Sequence, residues 1–222
     1  MRGRVLVVAP HPDDEVLGVG GTMARLAAEG QEVFVAIVTR ANAPHFDEAV
    51  TEQSRREARA AHELLGVTKT FFLDLPAIAL DTVPHRDVNA ALGGVFAEVA
   101  PGTVFIPFAG DIHLDHQLVS LSSLVAARPT VAGYPTAVYA YETLSETNWN
   151  APFLSPAFAP STFVDISDFV ERKMEAMEIF ASQLREPPHE RSMESLRALA
   201  TLRGSTVGLR AAEAFVTIRQ VI

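Results

Sequence analysis

Val5-Leu6-Val7-Val8-Ala9-Pro10-His11-Pro12-Asp13-Asp14-Glu15, running on into Val16-Leu17-Gly18-Val19-Gly20-Gly21-Thr22, is the stretch on which the fold turns. An apolar, β-favouring run before a Gly-containing helical segment reads as a buried strand that ends in a loop. His11, Asp13 and Asp14 are therefore expected at the carboxyl end of a strand, where open α/β sheets place their ligands. Pro10 and Pro12 each fix their own φ and bias the preceding residue toward extended backbone, so the loop is stiff. A stiff loop presenting an imidazole and two adjacent carboxylates looks like half of a metal site. Catalytic zinc typically keeps three protein ligands and one open position.

Outward from this stretch, strand-like and helix-like segments alternate. The helix over 16–29 stops at Gly30, and Val33 to Val38 forms the next buried strand. A loop from Arg40 to about Asp47 carries Asn42, Pro44 and His45, and a long helix over 48–65 closes at Gly66. Phe71 to Leu73 is a third strand, followed by a loop over 74–84, a helix over 86–99 and the strand Val104 to Ile106. A helix to about Arg128, a strand over 138–141 and a long proline-bearing loop over 142–160 come next. Phe163 to Ile166 is strand-like, and Ser167 or Asp168 is placed to cap a helix reaching about Leu184. A Pro187-Pro188 break, a helix over 192–203 and a strand over 214–218 finish the chain. Near-continuous apolar strands alternating with helices predict an α/β, Rossmann-like architecture. Its sheet is mostly parallel, with helices on both faces, in a single domain over 1–222.

At 222 residues, 48% hydrophobic and 20% charged, the chain can bury a full core of ordinary composition. The formal charge of −9 resides in residues 1–170, while 171–222 is close to neutral. An acidic balance argues against a general nucleic-acid binder. The absence of cysteine excludes disulfides and thiolate ligands, so any metal has to be held by His and carboxylate. No stretch approaches the length needed to span a bilayer, and the first apolar run is too short for a signal sequence. A cytoplasmic enzyme is the expectation.

His113 and His116, in His113-Leu114-Asp115-His116, also follow directly on a predicted strand. Parallel strands ending at one edge bring their following loops together, so ligands about 100 positions apart can share one ion. A lone His-X-X-His recurs by chance, and a lone Asp-Asp is usually a solvated turn. Their joint placement at two equivalent strand ends is much harder to obtain by accident.

The His11-Pro12-Asp13-Asp14-Glu15 run with its Gly-rich helix, together with His113-Leu114-Asp115-His116, resembles the PIG-L/LmbE family of zinc-dependent N-acetylglucosaminyl deacetylases. Later segments, among them Asp165-Ile166-Ser167, Ser182-Gln183 and Ala212-Glu213-Ala214-Phe215, extend the likeness over nearly the whole chain. The resemblance implies that His11, Asp14 and His116 ligate zinc and that Asp13 is the general base. It gives His113 the task of polarising the amide carbonyl as a protonated imidazole, and Asp115 that of orienting or charge-tuning its surroundings. The substrate implied is an N-acetylated amino sugar or glycoconjugate, cleaved to acetate and a free amine. Fe2+ or another divalent ion remains open because mixed His/Asp ligation suits several metals. Assembly as a homo-oligomer is left open too.

One position departs from the family pattern. Ser54 stands where a substrate-contacting Arg is expected, with Arg55 and Arg56 following. The contact either shifts to Arg55 or is lost, and Arg191 is an alternative anchor for a phosphate or carboxylate. Glu142 ends a strand on the predicted active edge and is a candidate for a sugar hydroxyl. Trp149, with Asn148 beside it, could stack on a sugar face or anchor its loop by packing. His189 lies in a proline-rich loop with Arg191 and either touches substrate or sits in a plain turn. His45, His62 and His85 have no sequence partners and read as surface or helix-face residues.

Two rival classes stay in view. One is a metal- or nucleotide-holding module without turnover; the other is an NAD-dependent oxidoreductase suggested by Gly18-Val19-Gly20-Gly21. The dinucleotide fingerprint requires its glycines in the turn directly after the strand, and here that turn is His11 to Glu15. Helix–strand packing explains those glycines better.

Overall fold

The computed structural model describes residues 3–41, 44–130, 133–151 and 153–222; Asn42 and Pro152, read above as loop residues, lie outside them. The opening strand, β1 (Val5–Ala9), is buried along its whole length because the sheet is covered on both faces. Val5, Val7 and Ala9 enter one apolar cluster, while Leu6 and Val8 enter the other. The period-two alternation of a strand thus feeds two cores from one apolar run.

Beside β1 lie β2 (Val33–Arg40), β3 (Lys69–Pro76), β4 (Thr103–Pro107), β5 (Ala137–Tyr141), β6 (Thr162–Asp165) and β7 (Ala212–Gln220). Among the described residues they form a seven-stranded sheet in the order β3-β2-β1-β4-β5-β7-β6. The pairings through β3-β2-β1-β4-β5 are parallel, and β7 runs antiparallel between β5 and β6. The chain leaves β1 toward β2 and β3, then returns to β4 on the other side. The β1/β4 boundary is therefore the topological switch point, where the loops that follow the two strands part and open a crevice.

Six α-helices among the described residues cover the sheet: α1 (Asp14–Ala28), α2 (Glu48–Leu65), α3 (His85–Val99), α4 (Leu114–Ala126), α5 (Val170–Ile179) and α6 (Met193–Thr206). The glycines of α1 are packing positions. A Cβ on Gly18 would stand 2.2 Å from Tyr141 Cδ2, and one on Gly21 would stand 2.7 Å from Ile166 Cδ1. Tyr141 and Ile166 are fully buried, so Gly18 and Gly21 lie under side chains.

The same helix receives a buried ion pair. Lys173 Nζ lies 2.6 Å from Glu213 Oε1 and donates to the Leu17 carbonyl at 2.7 Å. Glu213 in turn accepts from the Gly21 and Thr22 N–H groups at 2.9 and 2.7 Å. Charged groups this deep are tolerated because both members of the pair also have backbone partners.

Several boundaries differ from the sequence reading, among them the start of α1 at Asp14, the end of α6 at Thr206 and the reach of β7 over Ala212–Gln220. The fifth helix ends at Ile179, short of the expected Leu184. Phe180 turns into the core, and Ser182 donates through its N–H and Oγ to Glu57, drawing the chain away from the helix path. Neither Ser167 nor Asp168 caps that helix. Ser167 folds back on Asp165 Oδ1, and Phe169 holds the N-cap position. Strand β3 runs on to Pro76 although Asp74, at φ 58°, interrupts its pattern.

Candidate active site

The switch point brings the two expected loops together. His11 leaves β1, Asp13 is the N-cap of α1, and Asp14 is that helix's first residue. Asp111 and His113 lie between β4 and α4, and Asp115 and His116 occupy the first turn of α4. The ring centroids of His11 and His116 are 5.3 Å apart, and those of His11 and His113 are 4.6 Å apart. His11, Asp14 and His116 each offer an atom within 4.8 Å of the others.

Asp14 Oδ2 is the centre of this set. It lies 3.2 Å from His11 Nδ1 and 3.2 Å from His116 Nε2, and it accepts from the His11 backbone N–H at 2.9 Å. Its other oxygen, Oδ1, is buried without a hydrogen-bond partner among the described residues. A buried carboxylate with one oxygen facing two imidazoles and the other left without a partner is the kind of group that a cation would satisfy. The donor set, two nitrogens and one oxygen, suits Zn2+ and several other divalent ions.

The far nitrogens of both imidazoles are held by carboxylates. His116 Nδ1 lies 2.9 Å from Asp111 Oδ2, and His11 Nε2 lies 3.1 Å from Asp115 Oδ2. A ligating histidine commonly donates its other N–H in this way, which fixes both tautomer and ring direction. Asp111 is further held by Thr147 Oγ1 at 2.6 Å. Asp115 accepts the Ile78 N–H at 2.7 Å. The resemblance gave Asp115 to the neighbourhood of His113, but its carboxylate faces His11.

A second set, His11, His113 and Asp115, also falls within 4.8 Å. Its nitrogens are less available. If His11 ligates through Nδ1, its Nε2 becomes the N–H that binds Asp115. His113 Nδ1 accepts the Asp115 backbone N–H at 3.1 Å. The hydrogen-bond pattern therefore favours the first set as the holder of an ion.

That bond also assigns the tautomer of His113. With Nδ1 accepting, the proton of the neutral ring sits on Nε2. Burial, together with the charges of His11 and His116, pushes the pKa of this imidazole down to about 4 in the metal-free protein. In the metal-free protein this disfavours the expected protonated His113, and the neutral ring still offers one donor.

Asp13 sits beside the set without joining it. Its φ of 120° is a conformation that L-residues rarely adopt, and the buried Glu15 carboxylate accepts its N–H at 3.2 Å. Glu15 Oε1 faces His62 Nε2 at 2.9 Å, and His62 Nδ1 faces Thr70 Oγ1 at 2.7 Å. His62, read from sequence as a surface or helix-face residue, is therefore buried and braces the loop from behind. Arg191 reaches Asp13 Oδ2 through Nη1 at 3.2 Å.

A cavity of about 270 Å³ opens from this cluster. His11, Asp13, His113, Glu146 and Arg191 border it on one side; Arg40, Phe46, Thr51, Ser54, Arg55 and Phe72 border it on another. Arg55 does reach the cavity. Its guanidinium lies 4.6 Å from the Phe72 ring centroid and pairs with Asp74. Ser54 lines the cavity next to it, so despite the departure from the family pattern Arg55 and Arg40 still bring cations to this wall.

Four expected substrate contacts do not line the cavity. Glu142 is taken by Arg203, at 2.8 and 2.6 Å, behind the site. Asn148 reaches toward Glu190 at 3.5 Å. Trp149 packs edge-on against His189 at 5.5 Å, and His189 Nδ1 accepts the Arg191 N–H at 3.0 Å. The long loop and the 187–192 segment grip each other through these groups, with Trp149 still half exposed. Asp111, Ser145, Glu146 and Thr147 were missed by the sequence reading. Asp111 had a signal in its position, two residues before His113 at a strand end, whereas the role of 145–147 depends on a fold-back that spacing does not encode.

A Rossmann-like sheet carrying two imidazoles and a carboxylate at its switch point, with a spare carboxylate alongside, has the parts of a metal-dependent hydrolase. The chain belongs to the PIG-L family, described as GlcNAc-PI de-N-acetylase, whose pattern matches residues 6–127. It is 30% identical over 223 residues to the diacetylchitobiose deacetylase of Thermococcus kodakarensis, covering 95% of this chain and 81% of that one. It is 27% identical over 252 residues to the 1D-myo-inositol 2-acetamido-2-deoxy-alpha-D-glucopyranoside deacetylase of a Nocardioides species, covering 82% and 83%. Among solved structures, the conserved protein TT1542 of Thermus thermophilus superposes with a TM-score of 0.80 at 28% identity, over 100% of this chain and 97% of that one. Among the described residues no helix is long and apolar enough to cross a membrane.

Proposed function

We propose that this protein is a metal-dependent N-deacetylase, acting on an N-acetylated amino sugar or glycoconjugate and releasing acetate and a free amine. The observation that carries the reading is the placement of His11, Asp14 and His116 around one point, with Asp13 beside it at the end of a cavity. The names of the relatives support the substrate class.

His11 Nδ1, Asp14 and His116 Nε2 would hold the ion, with zinc as the first choice. When bound, a divalent ion supplies Lewis acidity toward an amide carbonyl and lowers the pKa of water. Asp13 takes the proton of the attacking water and returns it to the departing nitrogen, which would otherwise leave as an unstable amide anion. The His113 Nε2–H donates to the oxygen that gains negative charge. Asp115 and Asp111 keep the two ligating rings in register. Arg55 and Ser54 offer the sugar a cation and a hydroxyl on the far wall.

A pure metal-binding module would have no use for Asp13 and His113 turned into the same cavity. A dinucleotide reading is disfavoured by the glycines of α1, which lie under Tyr141 and Ile166. The deciding experiment is acetate release from chitobiose- and N-acetylglucosamine-type compounds by metal-loaded protein, with Asp13→Asn as control. A steep fall in acetate release to a measurable residual rate in the control, with metal retained, supports the reading; metal binding without release from any acetylated sugar overturns it.

A further inference from the structure

We propose that Arg191 is a positioning residue for Asp13, held for that task by Ser145 and Glu146. The inference rests on the deacetylase reading above, in which Asp13 moves the proton.

Arg191 lies far from Asp13 in sequence, yet three of its N–H groups converge on the base and its supports. Nη1 meets Asp13 Oδ2 at 3.2 Å, Nη2 meets Glu146 Oε1 at 3.2 Å, and Nε donates to Ser145 Oγ at 2.8 Å. A guanidinium is a rigid planar fork, so fixing three of its donors fixes where the remaining edge points. The supports are themselves pinned. The Ser145 N–H donates to Glu190 Oε2 at 2.8 Å, and Ser145 adopts φ 69°, left-handed backbone kept by that tether. The Arg191 N–H binds His189 Nδ1. Two loops thus clasp each other, and the product of the clasp is one guanidinium directed at one carboxylate oxygen.

With Oδ2 occupied by Arg191, Asp13 keeps Oδ1 for the water proton. Without the clamp the carboxylate is free to rotate about its last bond, and small misplacements of a reacting group cost heavily in rate. A substrate anchor would instead keep free donors facing the cavity. Arg191 has three of its five guanidinium N–H groups committed to protein, which favours positioning over the expected phosphate or carboxylate anchor.

The test compares metal-loaded wild type, Arg191→Met, Asp13→Asn and the double variant, measuring acetate release together with bound metal. Arg191→Met is expected to lower kcat by about 10²-fold with KM and metal content nearly unchanged. In the Asp13→Asn background the same change is expected to do almost nothing, because residues acting through one another are non-additive. A rise in KM at constant kcat overturns the proposal and makes Arg191 a substrate anchor. A full repeat of the kcat loss in the Asp13→Asn background overturns it as well. Should Arg191→Met fail to fold, Arg191→Lys carries the same comparison, since lysine keeps the charge and loses the fork. If Asp13→Asn itself retains full activity, the deacetylase mechanism falls, and that result is distinct from additivity between the two sites.

Discussion

Asp111 Oδ2 lies 2.9 Å from His116 Nδ1, and this contact aims the opposite nitrogen of the ring at Asp14. The carboxylate is buried, which raises its pKa against the pull of His116 and Thr147. Asp111→Asn keeps the shape but removes the charge that makes the imidazole a better ligand. Supporting groups of this kind typically contribute about 10–100-fold to metal affinity. Competition against a chromogenic chelator should show a loss of that size with the fold intact by circular dichroism. Unchanged affinity would mean that His116 is oriented by packing alone.

His113 is expected to act as a neutral donor. His113→Ala should retain metal and lose about 10²–10³ in kcat, the usual effect of removing a donor to a developing oxyanion. Because Nδ1 already accepts the Asp115 N–H and burial disfavours the cation, the activity profile should show no His113 titration between pH 5 and 8. A low-pH optimum abolished by His113→Ala would restore the protonated form that the resemblance suggested.

Protein stripped of metal should lose stability as pH rises. Burial opposes the His11 cation, but Asp115 and Asp14 outweigh it and raise the pKa to about 9. His116, also opposed by burial and favoured by Asp14 and Asp111, rises to about 10. Burial and the neighbouring Asp14 push Asp13 up to about 8. All three bind protons more tightly folded than unfolded. The two histidines therefore contribute stability that is complete below about pH 6.5 and lost as pH climbs through 9 to 10. Asp13 adds a loss in the same direction, ending near pH 8. Thermal melts of chelator-treated protein should fall across this range. Metal needs deprotonated imidazoles, so affinity should rise over the same range with protons released on binding. Calorimetry in buffers of different ionisation enthalpy measures that release; a buffer-independent heat would contradict the assignment of ligands.

The glycines make a paired test. Gly18→Ala places a methyl against the buried Tyr141 ring, whose hydroxyl is tied to the Val8 carbonyl at 2.9 Å, so neither side can yield cheaply. Overpacking of this kind costs about 1–3 kcal/mol or more, and it displaces the helix that carries Asp14. Gly94, exposed in α3, has open space around its Cβ position. Gly94→Ala should add about 0.5–1 kcal/mol. Urea unfolding of both variants decides it, and a neutral Gly18→Ala would show that the α1–Tyr141 contact is looser than the distances imply.

The strands were legible because each is a short apolar run between turn residues, and β1, β2 and β4 are buried on both faces, which makes their runs near-continuous. The approach of His11 and His116 was legible for a topological reason: loops following β1 and β4 must leave the sheet side by side. What spacing could not show is which side chains are spent on one another. Glu142 looked free at a strand end until Arg203, sixty-one positions later, came within 2.6 Å. Trp149 could have stacked on a sugar or anchored its loop, and His189 could have touched substrate or sat in a turn; the fold packs the two against each other. The stop of α5 at Ile179 depends on Glu57 of another helix holding Ser182, a contact without local signature.

The Lys173–Glu213 pair carries the last prediction, because here two rules compete. Replacing a buried ion pair by apolar residues of similar volume is often neutral or stabilising, whereas breaking it from one side costs about 3–5 kcal/mol. Lys173→Met should follow the second rule, since it leaves Glu213 charged, 4% exposed and short of a cation. The double variant Lys173→Met/Glu213→Leu should not follow the first. Glu213 also satisfies the Gly21 and Thr22 N–H groups inside α1, and Lys173 satisfies the Leu17 carbonyl. Removing both side chains therefore strands backbone groups that would each cost about 1–3 kcal/mol to leave buried and unpaired. Denaturant unfolding should rank the double variant well below wild type. A double variant as stable as wild type would show that α1 can close its own hydrogen bonds across Gly18 to Thr22, making the ion pair dispensable to the helix that presents Asp14.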